Sequence, residues 1–305
     1  MAIFFPLPGN EKLANDLAEL TAGEVGKLEL RHFPDGETYL RVLTDVKSET
    51  VFVVCTLARP DPQFVGLAFV ARQLRELGAG RVELIAPYLP YLRQDRIFHR
   101  GEALTSRLFA ELLQQHFDNL ITVDPHLHRF SSLDEIYDIP ATAIHSAPLL
   151  AGWVRDHIVD PLIIGPDEES AQWVEAMARQ AGAAWTVFKK ERRGDRKIRM
   201  HAADLAEFRD KSPVLVDDII SSGVTMRRAI RCVREQGLKP PCCLVIHSVC
   251  SPITARSIRD NAAAFATSNT VPNPDASLDV APLIAAELIA AAAHQASAIC
   301  ARGSL

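Results

Sequence analysis

The sequence predicts an α/β fold of two domains, each a mostly parallel sheet flanked by helices. Three observations carry that reading. Short β-branched runs alternate with segments of helical period, the intervening loops are short, and the rhythm is played twice, dividing near residue 145. The length of 305 residues suits two domains of about 100–200 residues. A boundary at 145/146 gives domains 1–145 and 146–305, with the last helix free to pack back on the first.

Taken in order, Val51-Phe52-Val53-Val54 is a strand, and Leu67, Val70, Leu74 and Leu77 follow at helical spacing until Gly78 stops the helix. Val82–Ile85 is the next strand, a helix lies around Leu104–Phe117, and Leu120–Val123 is a strand again. The second half begins with Leu162–Ile164, a helix carrying Trp173, Val174, Met177 and Ala181, and the strand Thr186–Phe188. Val214–Val216, a helix with Met226, Ile230 and Val233 ended by Gly237, and Leu244–Ile246 complete the pattern.

Composition excludes several classes. Lys and Arg number 33 against 38 Asp and Glu, a net charge of −5, the wrong sign for a protein that coats a phosphate backbone. Hydrophobic residues at 48% are too many for disorder. The stretch Val280–Ala293 is interrupted by Pro282 and Glu287 and is too short to span a bilayer. The six cysteines include no C-x-x-C pair, and adjacent Cys242-Cys243 fits neither a disulfide framework nor a zinc ribbon. The expectation is a cytoplasmic, reduced protein that binds neither nucleic acid nor membrane.

In open α/β sheets, ligands sit beyond the carboxyl ends of the strands. Five strand ends here are ionic: Arg93–Arg96, Asp124-Pro125-His126, Pro166-Asp167-Glu168-Glu169, Lys189–Arg193 and Asp217-Asp218. Together they suggest a site for a polyanion and a metal. The segment Val214–Thr225 is the strongest signal: a strand delivers Asp217 and Asp218, then Ser221, Ser222, Gly223 and Thr225 open a helix. A helix N-terminus presents N–H groups and partial positive charge, so such a loop cradles phosphate. Carboxylates suit ribose hydroxyls or Mg²⁺, which prefers hard oxygen ligands. The plainer reading is a capped βα turn with Ser221 or Ser222 as N-cap.

Lys189–Arg199 holds seven basic groups and two acids. A charge run is usually a solvated face; placed just after a strand, this one is expected to be a mobile loop closing over phosphates, where cations meet developing charge. After Asp124-Pro125 the chain is expected to turn, with His126 inward and the role of His128 open. Asp167 is a second potential Mg²⁺ ligand, or else the N-cap of the next helix. No Walker-type or Gly-x-Gly-x-x-Gly signature occurs.

Phe33-Pro34-Asp35-Gly36-Glu37, Pro87–Arg96 with its Tyr91-Leu92-Arg93-Gln94-Asp95-Arg96 core, Leu104–Ala110, Asp124-x-His126, Pro166-Asp167, Lys190-x-Arg192 and Asp217–Thr225 together resemble the ribose-phosphate diphosphokinase (PRPP synthetase) family, in wording closest to its archaeal-type branch. The resemblance implies two phosphoribosyltransferase-like domains, the first binding ATP and the second ribose 5-phosphate. The implied reaction moves the β,γ-diphosphoryl group of ATP to the anomeric hydroxyl of ribose 5-phosphate, giving PRPP and AMP.

It also implies roles. Arg93, Gln94, Asp95 and His126 contact ATP, while Phe33, Asp35 and Glu37 hold adenine from a neighbouring subunit, which requires a homodimer or higher homo-oligomer. His126 and Asp167 serve Mg²⁺, and Lys190 and Arg192 stabilise the transferring group. Asp217 and Asp218 bind the ribose hydroxyls, and Ser221, Ser222, Gly223 and Thr225 bind the 5-phosphate. Two departures bear on this. Val224 stands where the family has a second glycine, which is costly if its φ must be positive. Glu168-Glu169 would repel a pyrophosphate unless they point outward. The competing readings are a phosphoribosyltransferase that consumes PRPP and a catalytically weak regulatory homologue.

Overall fold

The computed structural model describes residues 2–127, 129–192, 198–202 and 205–302, with no side-chain description at 169, 189–192, 198–202 and 295–302. The chain forms two compact units, one of residues up to Ile144 together with those from Val280 onward, the other of His145–Asp279. Residues from 280 onward group with the first unit.

In the first unit the order is β1 (Ala2–Pro6), α1 (Glu11–Leu20), β2 (Glu24–Val25), the hairpin β3 (Leu28–His32) and β4 (Thr38–Val42), β5 (Thr50–Val54), α2 (Pro60–Glu76), β6 (Arg81–Ala86), α3 (Thr105–Gln114), β7 (Asn119–Val123) and β8 (Ala141–Ile144). The second unit runs α4 (Ala147–His157), β9 (Pro161–Gly165), α5 (Ala171–Ala181), β10 (Ala184–Arg192), β11 (Ile198–Ala202), β12 (Ser212–Ile220), α6 (Val224–Glu235), β13 (Cys242–Ser248), α7 (Pro252–Arg259), β14 (Ala264–Ser268) and β15 (Ala276–Leu278). Helix α8 (Ala281–Arg302) returns to pack on α1 and β8.

The first sheet is parallel throughout, in the order β2-β1-β5-β6-β7-β8. Its strands read as unbroken apolar runs because helices cover both faces; Val51, Val53 and Val54 of β5 are fully buried. Helix α2 begins with Pro60, whose missing N–H costs nothing in a first turn. It buries Leu67, Val70, Ala71 and Leu74 along one stripe, each large side chain contributing about 1.5–3 kcal/mol. Gly78, at φ 88°, turns the chain out of it, and Leu77 is left 43% exposed, outside the stripe its spacing suggested.

The second sheet has the order β11-β10-β9-β12-β13-β14-β15, parallel except for β10 with β11. Two elements run further than the sequence suggests. Strand β12 continues through Asp217 and Asp218 to Ile220, because Ile219 and Ile220 pair with His247 and Ser248 of β13 and are both buried. The two aspartates are thus inside the strand, not after it. Strand β10 continues through Lys190 and Arg192, which pair with Met200 and Ile198 of β11. The backbone of the basic run is consequently a β-ribbon where a loop was expected; residues 193–197 lie outside the described ones.

In each sheet the chain leaves one central strand towards one edge, then returns to fill the other side. That reversal falls between β1 and β5 in the first sheet and between β9 and β12 in the second. Ligands of open α/β sheets bind in the crevice outside such a pair of carboxyl ends.

Candidate active site

The reversal point of the second sheet brings together Asp167, just past β9, and Asp217 and Asp218, near the end of β12. Asp167 uses one carboxylate oxygen to accept the Ser170 N–H at 3.2 Å, and its carbonyl accepts the Ser170 hydroxyl at 2.6 Å. The plain capping reading is therefore real for that oxygen. The same carboxylate acts at a distance: burial, then Asp218, then Asp167 push the Asp217 carboxyl well above the usual carboxylate range. Three acids crowded at one crevice stay there only against mutual repulsion, and a divalent cation or a set of hydroxyl donors relieves it. Among the described residues, no cluster of three or more His, Cys, Asp or Glu forms a self-sufficient metal cage.

The close approach of β9 to α5 depends on Gly165. A Cβ there would sit 2.4 Å from the Ser170 hydroxyl and 2.7 Å from a Val174 methyl, so any larger residue would displace the turn that aims Asp167. Glu168 is exposed, which removes it from the crevice interior; the Glu169 side chain lies outside the described ones.

Beyond β12, Ser221, Ser222 and Gly223 form the link to α6. The N-cap is Gly223, at φ 68°, rather than either serine. The left-handed position is therefore held by the one residue that takes it without strain. Val224 is the first helical residue and has no positive φ, so its β-branch carries no backbone penalty. Its N–H donates to the Ser222 hydroxyl at 3.5 Å. Thr225 is exposed in the first turn. Arg227, absent from the sequence reading, lays its guanidinium 3.1 Å from where a Gly223 Cβ would be. Two arginines, Arg227 and Arg228, and no acid stand at this end of α6, the end where the helix dipole favours anions over cations. That inverted charge placement was legible in the sequence as a signal for a bound anion.

In the first unit, the segment after β6 alternates anchors and displayed groups: Leu89 and Leu92 are buried, while Arg93 is exposed. Arg93 and Gln94 line a cavity of about 610 Å³ with Arg59, Asp61, Tyr88 and Tyr91. The Thr105 hydroxyl, at the start of α3, donates to Gln94 at 3.5 Å. The Asp95 side chain is 9% exposed and pairs with Arg129 at 3.4 Å. It ties the Arg93 segment to the segment after β7. There Asp124, buried at φ 34°, donates its N–H to Ile144 at 2.9 Å, and Leu127 closes on Pro125 at 2.7 Å. The chain turns as expected and His126 is half-buried. His128 lies outside the described residues.

The tip of the β3–β4 hairpin holds Phe33, Asp35 and Glu37. Gly36, at φ 94°, makes the turn, and Phe33 is 41% exposed beside Arg31, 4.8 Å from its ring centre. None of the three lines the cavity of Arg93 and Gln94. Lys190 and Arg192 are placed by backbone on β10 of the second unit, and their side chains lie outside the described ones. Arg59, Asp61, Arg129 and Arg227, which the motifs did not single out, all follow strand ends or sit near helix starts.

Residues 2–116 match the family model for the N-terminal domain of ribose phosphate pyrophosphokinase, and residues 132–272 match the phosphoribosyl transferase domain. The ribose-phosphate pyrophosphokinase of Methanopyrus kandleri is 33% identical over 282 residues, covering 90% of this chain and 94% of the relative. The chain belongs to the ribose-phosphate pyrophosphokinase family. A second archaeal member, from Thermococcus kodakarensis, is 28% identical over 91% of this chain and 98% of its own length. The crystal structure of phosphoribosylpyrophosphate synthetase from Mycobacterium smegmatis superposes with a TM-score of 0.83 at 25% identity, covering 96% of this chain and 99% of that one. The fold, the enzyme class and the diphosphoryl-transfer activity expected from the sequence are those of this pyrophosphokinase family. No described helix is long and apolar enough to cross a membrane.

Proposed function

We propose that the chain transfers the β,γ-diphosphoryl group of ATP to the anomeric hydroxyl of ribose 5-phosphate, releasing AMP and PRPP, with the two sheets dividing the labour. The carrying observation is the segment Asp217–Thr225 at the reversal point of the second sheet, with carboxylates before a glycine-capped helix start and Asp167 beside them. Asp217 and Asp218 accept hydrogen bonds from the ribose hydroxyls. Ser221, Ser222, Gly223 and Thr225 receive the 5-phosphate at the N-terminus of α6, with Arg227 adding a cation.

The cavity of the first unit takes the nucleotide, with Arg93 and Gln94 as its contacts and Asp95, next in the chain, as a third. Lys190 and Arg192 stabilise the transferring group as charge moves onto the leaving oxygen. His126 in the first unit and Asp167 in the second are each candidate ligands for Mg²⁺, which would supply charge neutralisation for polyphosphate. Phe33, Asp35 and Glu37 serve the adenine of a neighbouring copy, so the working form is a homodimer or larger. Attack by the anomeric oxygen needs alignment and charge neutralisation more than a dedicated base.

The test mixes purified protein with ATP, Mg²⁺ and ribose 5-phosphate and measures AMP and PRPP. Equal amounts of both products are expected, and none without ribose 5-phosphate. ADP in place of AMP would mean ordinary phosphoryl transfer and would overturn the reading.

A further inference from the structure

The cavity of the first unit has walls from two βα segments, the one after β5 (Ala58–Pro62) and the one after β6 (Tyr88–Gln94). A side-chain bond joins them: the Tyr91 hydroxyl donates to the carboxylate of Asp61, in the first turn of α2. Tyr91 is also in the left-handed region, at φ 65°, where a bulky L-residue is strained and glycine or asparagine would be ordinary. Strain of that kind persists only where the surroundings over-determine it, and it collects at functional sites.

The surroundings here do so. Leu92 next to it is buried, the Tyr91 ring lies 4.7 Å from the ring of buried Phe109, and the Tyr91 carbonyl accepts the Gln94 N–H at 3.3 Å. Ring, hydroxyl and carbonyl thus hold the turn whose next residues are Arg93 and Gln94. The hydroxyl is not needed for burial, because Asp61 is exposed. Its bond also occupies an oxygen of the one acid among the lining residues, which include Arg59 and Arg93.

We propose that the Tyr91–Asp61 pair is a positioning device that sets Arg93 and Gln94 for the polyphosphate of the nucleotide. This rests on the reading that those two residues contact ATP. Tyr91→Phe keeps the ring and removes only the donor, and Asp61→Asn removes the charged acceptor. Hydrogen bonds to charged groups are the strong ones, so each variant is expected to raise the KM for ATP by about tenfold. The kcat and the KM for ribose 5-phosphate should stay within about twofold. The double variant should be no worse than either single one, since both break the same bond.

Calorimetry with α,β-methylene-ATP, which cannot be cleaved at the reacting bond, separates this inference from the activity. If the wild type binds that analogue yet makes no PRPP, the functional reading fails, and weakened analogue binding in Tyr91→Phe still supports the positioning role. Unchanged nucleotide affinity in both single variants, with or without a fall in melting temperature, overturns it. So does a wild type that does not bind the analogue.

Discussion

The two sheets reverse at equivalent points and treat the resulting crevice in opposite ways. In the first, Asn10 follows β1 and is 3% exposed. Its side-chain oxygen accepts the Thr56 N–H, just past β5, at 2.9 Å, and its amide donates to the Leu7 carbonyl at 3.1 Å. One neutral side chain stitches the two strand ends and satisfies the backbone there. In the second sheet the same place holds Asp167, Asp217 and Asp218, whose charges oppose one another. A crevice closed by an amide is stable and inert, whereas one lined with carboxylates is costly until a ligand arrives. The edges differ likewise: β2 has two residues, while its positional counterpart β10 has nine and pairs with β11.

The largest expected effect is on the elaborated edge. Lys190→Ala should lower kcat by about 10³-fold with little change in melting temperature, because the β10–β11 ribbon ends its sheet; an equal collapse of thermal stability would make the lysine structural. Next, Asp218→Asn should lower kcat/KM for ribose 5-phosphate by about 100-fold through its KM, as two lost charge-assisted hydrogen bonds would. Steady-state kinetics at fixed ATP decides this, and an unchanged KM removes Asp218 from the sugar site.

The stitched crevice should respond in stability alone. Asn10→Ala orphans the Thr56 N–H and should cost about 1–3 kcal/mol in urea unfolding, while the surviving fold keeps its KM values. A change confined to KM would show that the first crevice also binds substrate. The smallest effect concerns pH. Asp217 has a raised carboxyl in the fold, so the folded state holds its proton more tightly than the unfolded one. Stability without Mg²⁺ or substrates should then fall as pH rises from the ordinary carboxylate value through Asp217's raised value. Asp217→Asn should flatten that slope and raise stability at neutral pH, and parallel melting profiles for both proteins would contradict the coupling.

Most of the fold was legible because parallel strands buried on both faces announce themselves as apolar runs such as Thr50–Val54. The misread ends share a cause. Charges at Asp217-Asp218 and at Lys189–Arg192 look like the close of a strand, yet pairing with β13 and β11 carries the backbone on, and ladder partners are not local information. At the site, the motif spacing pointed to Asp167, Arg93 and the loop Asp217–Thr225, which the fold places at strand ends or helix starts. It did not find which residue of the turn takes the left-handed position, Gly223 rather than Val224, nor that Asp95 pairs with Arg129, which depends on where a distant segment returns.

The return of α8 has a consequence for biogenesis. Val280, Ile284 and Leu288 bury themselves in the unit that contains β1, so the unit begun first on the ribosome cannot close its core until residues near 288 have emerged. The later-encoded unit needs nothing beyond Asp279 and is expected to be finished earlier, an inversion of the usual N-to-C order of domain folding.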